Sequence, residues 1–445
     1  MDHYELLVIG SGPGGVEAAR RGADAGLKTA LVHNMPLGGR ATWSSLLPSK
    51  AWLQIAESVH KGLGHPVLGS LIDVPVSLNH EALRAWIQKT AGEQAAFQQH
   101  QLESAGVTLI QGTAKWAGPG QVLIANENTP DKTVKYDHLI VSGGSGPRFT
   151  PAVKPNMDHI IAPRISPRLN EIPKSMIVMG GGVTGTEYAF AFASMGTEVT
   201  ILQKNNQLLP TIDAEVAAAF SRYVTGRLPI SIKTGVTVAA AEQQGNKVTV
   251  TDTEGGAYTA DYGFIAISRT PDLSFWPEIP DGLQQLPGGF IAVDRWSRTS
   301  LPDVYAIGDM TGAPMMANRA RSQAREAVRA ILGLADDSPA PVTMEAVYTQ
   351  PNVVQVGSMA PNPKATFHSF NWKGNLKAAI NDYAEGLIRV QVDNTMGLVL
   401  GAAAFGHHAA EVLSPIQLAI NEGISWERVV RSPFAHPTLS EVWGG

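Results

Sequence analysis

Apolar positions along the chain fall into a plan that occurs twice. Tyr4–Gly10 is a continuous apolar run closing on glycine, which predicts a buried parallel strand. An alanine-rich stretch with helical spacing follows to about Ala25, and Lys28–Val32 returns as a second strand. The plan recurs at Ser175–Gly180, with a helix to about Met195 and a strand at Glu198–Leu202. The two units agree in length, His33 following Gly10 by 23 positions and Gln203 following Gly180 by 23. Between them, Asn79–Ala105 has helical spacing, with Leu83, Trp86, Ile87, Ala91, Phe97 and Leu102 on one side and Gln94 interrupting the stripe. Further strands are predicted at Val107–Gly112, Gln121–Ala125, His138–Ser142 and Val304–Ile307. From about Thr343 the pattern changes to alternating strands, Val353–Gly357, Gly386–Val392 and Leu398–Ala403, then a helix over Ala409–Glu422. That change predicts a separate α+β carboxy-terminal domain.

The strand-to-helix turns carry the candidate chemistry. Gly10, Gly12 and Gly15 form G-x-G-x-x-G, and Gly180, Gly182 and Gly185 repeat it. In such a turn the first glycine permits the tight bend, the second lets a pyrophosphate approach the backbone, and the third lets helix and strand pack closely. The helix amino terminus then offers N–H groups and a positive dipole end to the phosphates. Two turns in matching context predict two bound dinucleotides.

Composition narrows the function classes. At 445 residues the chain is long enough for two to four domains, and a formal charge of −5 gives no electrostatic reason to expect nucleic acid. No stretch approaches ~18 consecutive apolar residues, so no membrane span is expected. The amino terminus enters a strand at once rather than showing a signal-type core, which points to the cytoplasm. There are 0 cysteines, which excludes disulfides, thiolate metal sites and thiol catalysis. No metal site is expected, because His407 and His408 are adjacent and their side chains diverge.

An ordered set of motifs gives the chain a family likeness. After Gly10–Gly15 come Gly38-Gly39, Pro48-Ser49-Lys50 and the Ser142–Ser145 strand end. The second glycine turn has Glu187 two residues after its last glycine. Ser268-Arg269-Thr270-Pro271-Asp272, Tyr305-Ala306-Ile307-Gly308-Asp309 and His436-Pro437-Thr438-Leu439-Ser440-Glu441 complete it. In this order the chain resembles the flavoprotein disulfide reductases of the lipoamide dehydrogenase, mercuric reductase and glutathione reductase group, lipoamide dehydrogenase above all. The resemblance implies an α/β fold with two Rossmann-like dinucleotide-binding domains and a carboxy-terminal α+β dimerisation domain. The expected parts are an FAD-binding domain over 1–148, an NAD(P)-binding domain over 149–272, an FAD-domain return over 273–340 and a dimerisation domain over 341–445.

Carried over by position, the resemblance gives Gly10, Gly12 and Gly15 to the FAD pyrophosphate and Asp309 to its ribityl side. Gly180, Gly182 and Gly185 would hold the nicotinamide dinucleotide. Gly39, Gly144 and Arg269 complete the implied cofactor-binding set. Lys50 and Glu187 would form an ion pair near flavin N5, and Lys50 counts among the FAD contacts. His436 and Glu441 resemble the family's acid/base pair, which reaches the flavin of the partner subunit and so implies a homodimer.

The departures are as informative as the matches. The family's two redox cysteines fall where this chain has Ala41 and Leu46, in Arg40-Ala41-Thr42-Trp43-Ser44-Ser45-Leu46-Leu47. Dithiol–disulfide exchange needs a thiolate, so turnover by that route is not expected. The acids expected to bind ribose hydroxyls are replaced by His33 and Gln203, each still able to hydrogen-bond a ribose. Lys204 could contact a 2′-phosphate, and the choice between NADH and NADPH stays open. The expected activity is FAD-dependent NAD(P)H oxidation, with electrons passing to a quinone, oxygen, a metal ion or a small carrier. The face bearing Trp43, Ala41 and Leu46 either suits a planar acceptor or is closed by packing. The alternative is an FAD-bound homodimer kept as a binding or regulatory scaffold.

Overall fold

Leu6, Leu7 and Val8 are wholly buried, as a strand covered on both faces requires, and the strand they form is Asp2–Ile9. The computed structural model describes residues 2–63, 78–126, 129–164, 166 and 169–444. It divides into two units, one of Met1–Pro48, Glu81–Arg148 and Ser268–Pro341, the other of Ser49–His80, Phe149–Ile267 and Val342–Gly445.

In the first unit, Asp2–Ile9 lies at the centre of a mixed sheet of 7 strands. Thr29–His33 and then Thr108–Gln111 extend it in parallel on one side, with Leu6 opposite Thr29 and Ala30 opposite Thr108. On the other side runs Thr129–Val141, 13 residues long where the shorter strand His138–Ser142 was expected. The reason is a change of period within one strand. Leu139, Ile140 and Val141 are buried on both faces, whereas Val134 and Tyr136 alternate with exposed Lys135 and Asp137. The alternating half pairs antiparallel with Gln121–Asn126, and the buried half pairs parallel with Val304–Ala306. The helix Pro13–Asp24 follows the first strand, and the helix Ala317–Ile331 packs against it. The long helix is His80–Ser104; Leu83, Ile87, Ala91 and Leu102 are buried as expected, but Trp86 and Phe97 are exposed.

In the second unit a parallel sheet has the order Ile230–Thr234, Glu198–Gln203, Ser175–Met179, Tyr262–Ile265, Ile160–Ile161. An antiparallel ribbon of three strands, Val238–Gln244, Lys247–Asp252 and Ala257–Ala260, belongs to the same half. The carboxy-terminal part is an antiparallel sheet of 5 strands, in the order Glu345–Val347, Asn352–Gly357, Val399–Gly406, Gly386–Asp393, Ala365–Phe370. Its apolar face is closed by Trp372, Leu413, Ile416 and Trp443. The helix expected over Ala409–Glu422 is two, Ala409–Val412 and Ser414–Glu422, divided just before Pro415, which has no N–H to donate.

Candidate dinucleotide-binding and redox sites

The two glycine turns are built alike, and the role of each glycine can be separated. A side chain at Gly15 would overlap the Gly10 carbonyl, and one at Gly10 would overlap the Ser142 carbonyl. Packing within the protein therefore accounts for both. At Gly12 an added Cβ would meet nothing within 4 Å. The second turn repeats the contrast: Gly185 abuts the Gly180 carbonyl, Gly180 abuts Ala266, and Gly182 faces open space. Gly12 and Gly182 are the N-caps of their helices, and neither helix start has a side-chain cap. Open space over the middle glycine and an uncapped helix end are what a pyrophosphate needs.

Around the first turn the side chains form a charged cluster. Ser145 Oγ donates to Asp309 Oδ2 at 2.6 Å, and Arg269 Nε donates to Ser145 Oγ at 2.7 Å. Arg269 Nη2 also reaches the Ser145 carbonyl at 3.2 Å and lies 3.4 Å from Asp309 Oδ2. Asp309 and Arg269, expected from separate motifs, are thus brought together by a serine. Gly144 has φ of +74° and its carbonyl accepts from Asp272 N at 3.0 Å. Gly39 lies against the first turn, since a Cβ there would come within 3.0 Å of Gly12 Cα. His33 Nδ1 is 3.0 Å from the Met35 carbonyl. A carbonyl only accepts, so Nδ1 carries a proton and the ring's Nε2 edge is left for another partner. Trp43 is pinned by its indole N–H, 2.9 Å from the Leu37 carbonyl, while Leu46 is 43% exposed.

In the second unit Lys50 and Glu187 meet. Lys50 Nζ lies 2.7 Å from each Glu187 oxygen, and Glu187 is 4% exposed in its side chain against 31% for Lys50. The backbone N–H of Tyr348 donates to Glu187 Oε1 at 2.9 Å, and the Tyr348 ring lies 4.6 Å beneath the ammonium. A carboxylate this deep is tolerable because its oxygens are hydrogen-bonded and its charge is paired. Burial raises the Tyr348 phenol pKa, and the Glu187 charge raises it further. Tyr348 was not foreseen: its part is played by a backbone N–H and a ring face, which leave no mark in a residue pattern.

Gln203 lies buried against the second glycine turn. Its side chain turns inward, with Oε1 accepting from Gly181 N at 3.1 Å and Nε2 donating to the Gln207 carbonyl at 3.2 Å. The amide braces the glycine turn, because a neutral amide can accept from one backbone group and donate to another at once. Lys204 beside it is exposed.

The carboxy-terminal pair is formed. His436 Nδ1 is 2.7 Å from Glu441 Oε1, while Glu441 Oε2 accepts from Thr438 N at 2.8 Å. Glu441 and Thr438 form a capping box on the short helix Leu439–Trp443, and the Trp443 indole N–H anchors it to the Val412 carbonyl at 3.1 Å. The Thr438 N–H, then His436, hold the Glu441 carboxyl below its ordinary value. A cavity of about 630 Å³ beside the pair is lined by Phe370, Asn371, Leu376, Phe434, His436 and Glu441, among others. His407 stacks on Tyr383 with centroids 3.8 Å apart, while His408 begins a helix with φ of 54°. Among the described residues no group of His, Asp or Glu could hold a metal ion, and no helix is long and apolar enough to cross a membrane.

Two turns of this construction, each between parallel strands of its own sheet, define a protein built to hold two dinucleotides. The chain belongs to the pyridine nucleotide-disulphide oxidoreductase family, whose model matches residues 4–324 and whose dimerisation domain matches residues 343–444. It is a flavoprotein oxidoreductase with a carboxy-terminal dimerisation domain, from a family whose members bind FAD and use NAD(P)H. A dihydrolipoyl dehydrogenase of Chlorobaculum tepidum is 31% identical over 463 residues, covering 99% of this chain and 95% of the relative. That of Vibrio parahaemolyticus is 29% identical over 448 residues, covering 99% and 94%. Among solved structures, LpdA from Mycobacterium tuberculosis superposes with a TM-score of 0.91 at 25% identity, covering 99% and 98%. The HOCl-induced flavoprotein disulfide reductase RclA from Escherichia coli shares the fold, with a TM-score of 0.84 at 19% identity and coverage of 99% and 98%.

Proposed function

We propose that the chain is an FAD-dependent NAD(P)H oxidoreductase whose reduced flavin passes electrons directly to a non-disulfide acceptor: a quinone, oxygen, a metal ion or a small carrier. The observation that carries this reading is the Lys50–Glu187 pair, intact in a chain with two complete glycine turns and 0 cysteines. A charged pair at the family's hydride-transfer positions supports a working redox site over a scaffold, and dithiol exchange has no thiolate to use. When bound, FAD supplies the electron transfer between the nicotinamide and the acceptor.

The chain's own residues bind, orient and move protons. Gly10, Gly12, Gly15, Gly39 and Gly144 give backbone to FAD, with His33 Nε2 and Asp309 as polar contacts and Arg269 fixing Asp309. Gly180, Gly182 and Gly185 seat the nicotinamide dinucleotide, with Gln203 holding Gly181 in place. Lys50, steadied by Glu187, keeps a positive charge where the hydride arrives. His436, oriented through Nδ1 by Glu441, exchanges a proton with the acceptor at Nε2. In this reading 1–148 and 273–340 form the FAD-binding part, 149–272 the NAD(P)-binding part and 341–445 the dimer contact. It is cytoplasmic, takes a small acceptor and needs no nucleic acid or metal.

Anaerobic titration of the holoprotein with NADH and with NADPH tests it. Bound flavin is expected to bleach fully near one equivalent of one nucleotide, with no thiolate charge-transfer band. The His436→Ala variant should bleach normally but turn over acceptor about 10²-fold more slowly. If neither nucleotide bleaches the flavin, the scaffold reading stands instead. The engagement of the Gln203 amide within its own turn is the observation that favours that second reading.

A further inference from the structure

Arg40 belongs to none of the motifs above, yet it stands next to Ala41 and makes the longest-range bonds of its segment. Its Nη1 donates to the Ser145 carbonyl at 3.1 Å and reaches the Gly143 carbonyl at 3.4 Å, while Nη2 pairs with Asp272. The side chains are 30% and 22% exposed, so water competes with this pair only partly. Asp272 is in turn fixed by its own N–H on the Gly144 carbonyl, and its Oδ1 accepts from Ser274 N at 3.0 Å. Burial raises its carboxyl, but the bonds from Arg40 and Ser274 outweigh burial and leave it lowered.

The other end of the segment is tied to the first glycine turn. Gly38 N donates to the Ser11 carbonyl at 2.9 Å, and Ser11 Oγ returns a bond to the Met35 carbonyl at 3.2 Å. Gly39 sits against Gly12. The short helix Gly39–Trp43 therefore has one anchor at the turn and one, through Arg40, at the strand end that carries Gly143, Gly144 and Ser145. Gly12, against which Gly39 sits, has open space over it. The resemblance places the redox disulfide in this segment; here a guanidinium with several fixed donors ties the segment to the Gly143–Ser145 strand end and Asp272.

We propose that Arg40 is a positioning residue for FAD, a non-covalent strut that holds the Gly38-Gly39 turn and the Gly143–Ser145 strand end at the separation the cofactor needs. The proposal rests on the reading that the Gly10–Gly15 turn seats FAD. Release of FAD from the holoprotein, followed as the rise of free-flavin fluorescence, tests it. Arg40→Ala should release FAD about tenfold faster or more, and Arg40→Lys should recover only part, since one ammonium cannot span a carboxylate and two carbonyls. Asp272→Asn, which keeps the shape, should also speed release, and the double variant should be no faster than Arg40→Ala, because the two act as one unit. High salt should speed release from the unaltered protein more than from Arg40→Ala. If Arg40→Ala does not fold, Asp272→Asn and the salt comparison decide alone. Release at the unaltered rate from Arg40→Ala, or from Asp272→Asn where only that variant folds, overturns the strut; so does full additivity. Failure of the underlying reading is distinct: then Gly12→Ala would also leave FAD release unchanged, whereas failure of the strut alone leaves Gly12→Ala releasing FAD quickly.

Discussion

At Glu187 a carboxylate with 4% of its side chain exposed pairs, among the described residues, with Lys50, so Lys50 is the residue whose loss tells most. Lys50→Met leaves the charge with the Tyr348 N–H alone. Breaking a fully buried pair costs about 3–5 kcal/mol; Lys50 is partly exposed, so about 1–3 kcal/mol is expected, read from a shift in denaturation midpoint. Glu187→Gln with Lys50→Met should recover much of that loss, while flavin bleaching by nucleotide, followed by stopped flow, stays slow in both. This pair was legible because both members sit in motifs of fixed offset, Lys50 after Pro48-Ser49 and Glu187 after Gly185. Gln203 shows what an offset leaves out: its position is that of a ribose ligand, and its amide also makes two backbone bonds within its own turn. An offset locates a residue; it does not say which way the side chain turns.

Among elements, the two glycine turns were the most legible, because tight turns leave only glycine at defined positions. They also allow a prediction that separates folding from binding. Gly12→Ala places a methyl in open space at φ of −68° and ψ of 175°, which any residue adopts, so the apoprotein should keep its melting temperature while FAD affinity falls. Gly15→Ala drives the methyl into the Gly10 carbonyl and should destabilise the fold by about 1–3 kcal/mol or more before any cofactor is considered. Differential scanning of apo and FAD-loaded protein distinguishes the two. The His436–Glu441 turn carries a pH prediction. The Glu441 carboxyl is lowered from 4.5 in the fold, so its contribution is full above that value and is lost as pH falls through the lower folded one. The Thr438 amide resonance should shift below pH ~4.5, and Glu441→Gln should abolish the step. The ribbon Val238–Ala260 left a weak sequence signal, since strands such as VAAAEQQ are only half buried and carry no continuous apolar run. The Pro415 break was visible as a residue but not as a boundary, because proline is also at home in a first helical turn.

For the whole molecule the question is which chain supplies which part of one site. Lys50 and Glu187 meet within a single chain, whereas His436 and Glu441 lie in the dimerisation domain, at a helix whose apolar side is fixed by Trp443. The family resemblance implies that His436 serves the flavin of the other subunit, and this arrangement can be tested. Two inactive variants can then make one working site. In a dimer of Lys50→Met with His436→Ala, the His436→Ala chain keeps its own Lys50 and receives an intact His436 from its partner. The reciprocal site lacks both. Random pairing of equal amounts makes about half the dimers mixed, each with one good site of two, so unfolding and refolding the mixture should restore about one-quarter of the unaltered turnover with acceptor. Each variant refolded alone should restore only its own low residual rate. If His436 served its own chain's flavin, every site in the mixture would carry one defect and no turnover beyond that residual rate would return. The measured fraction therefore reads the arrangement of the site directly, without knowledge of the acceptor.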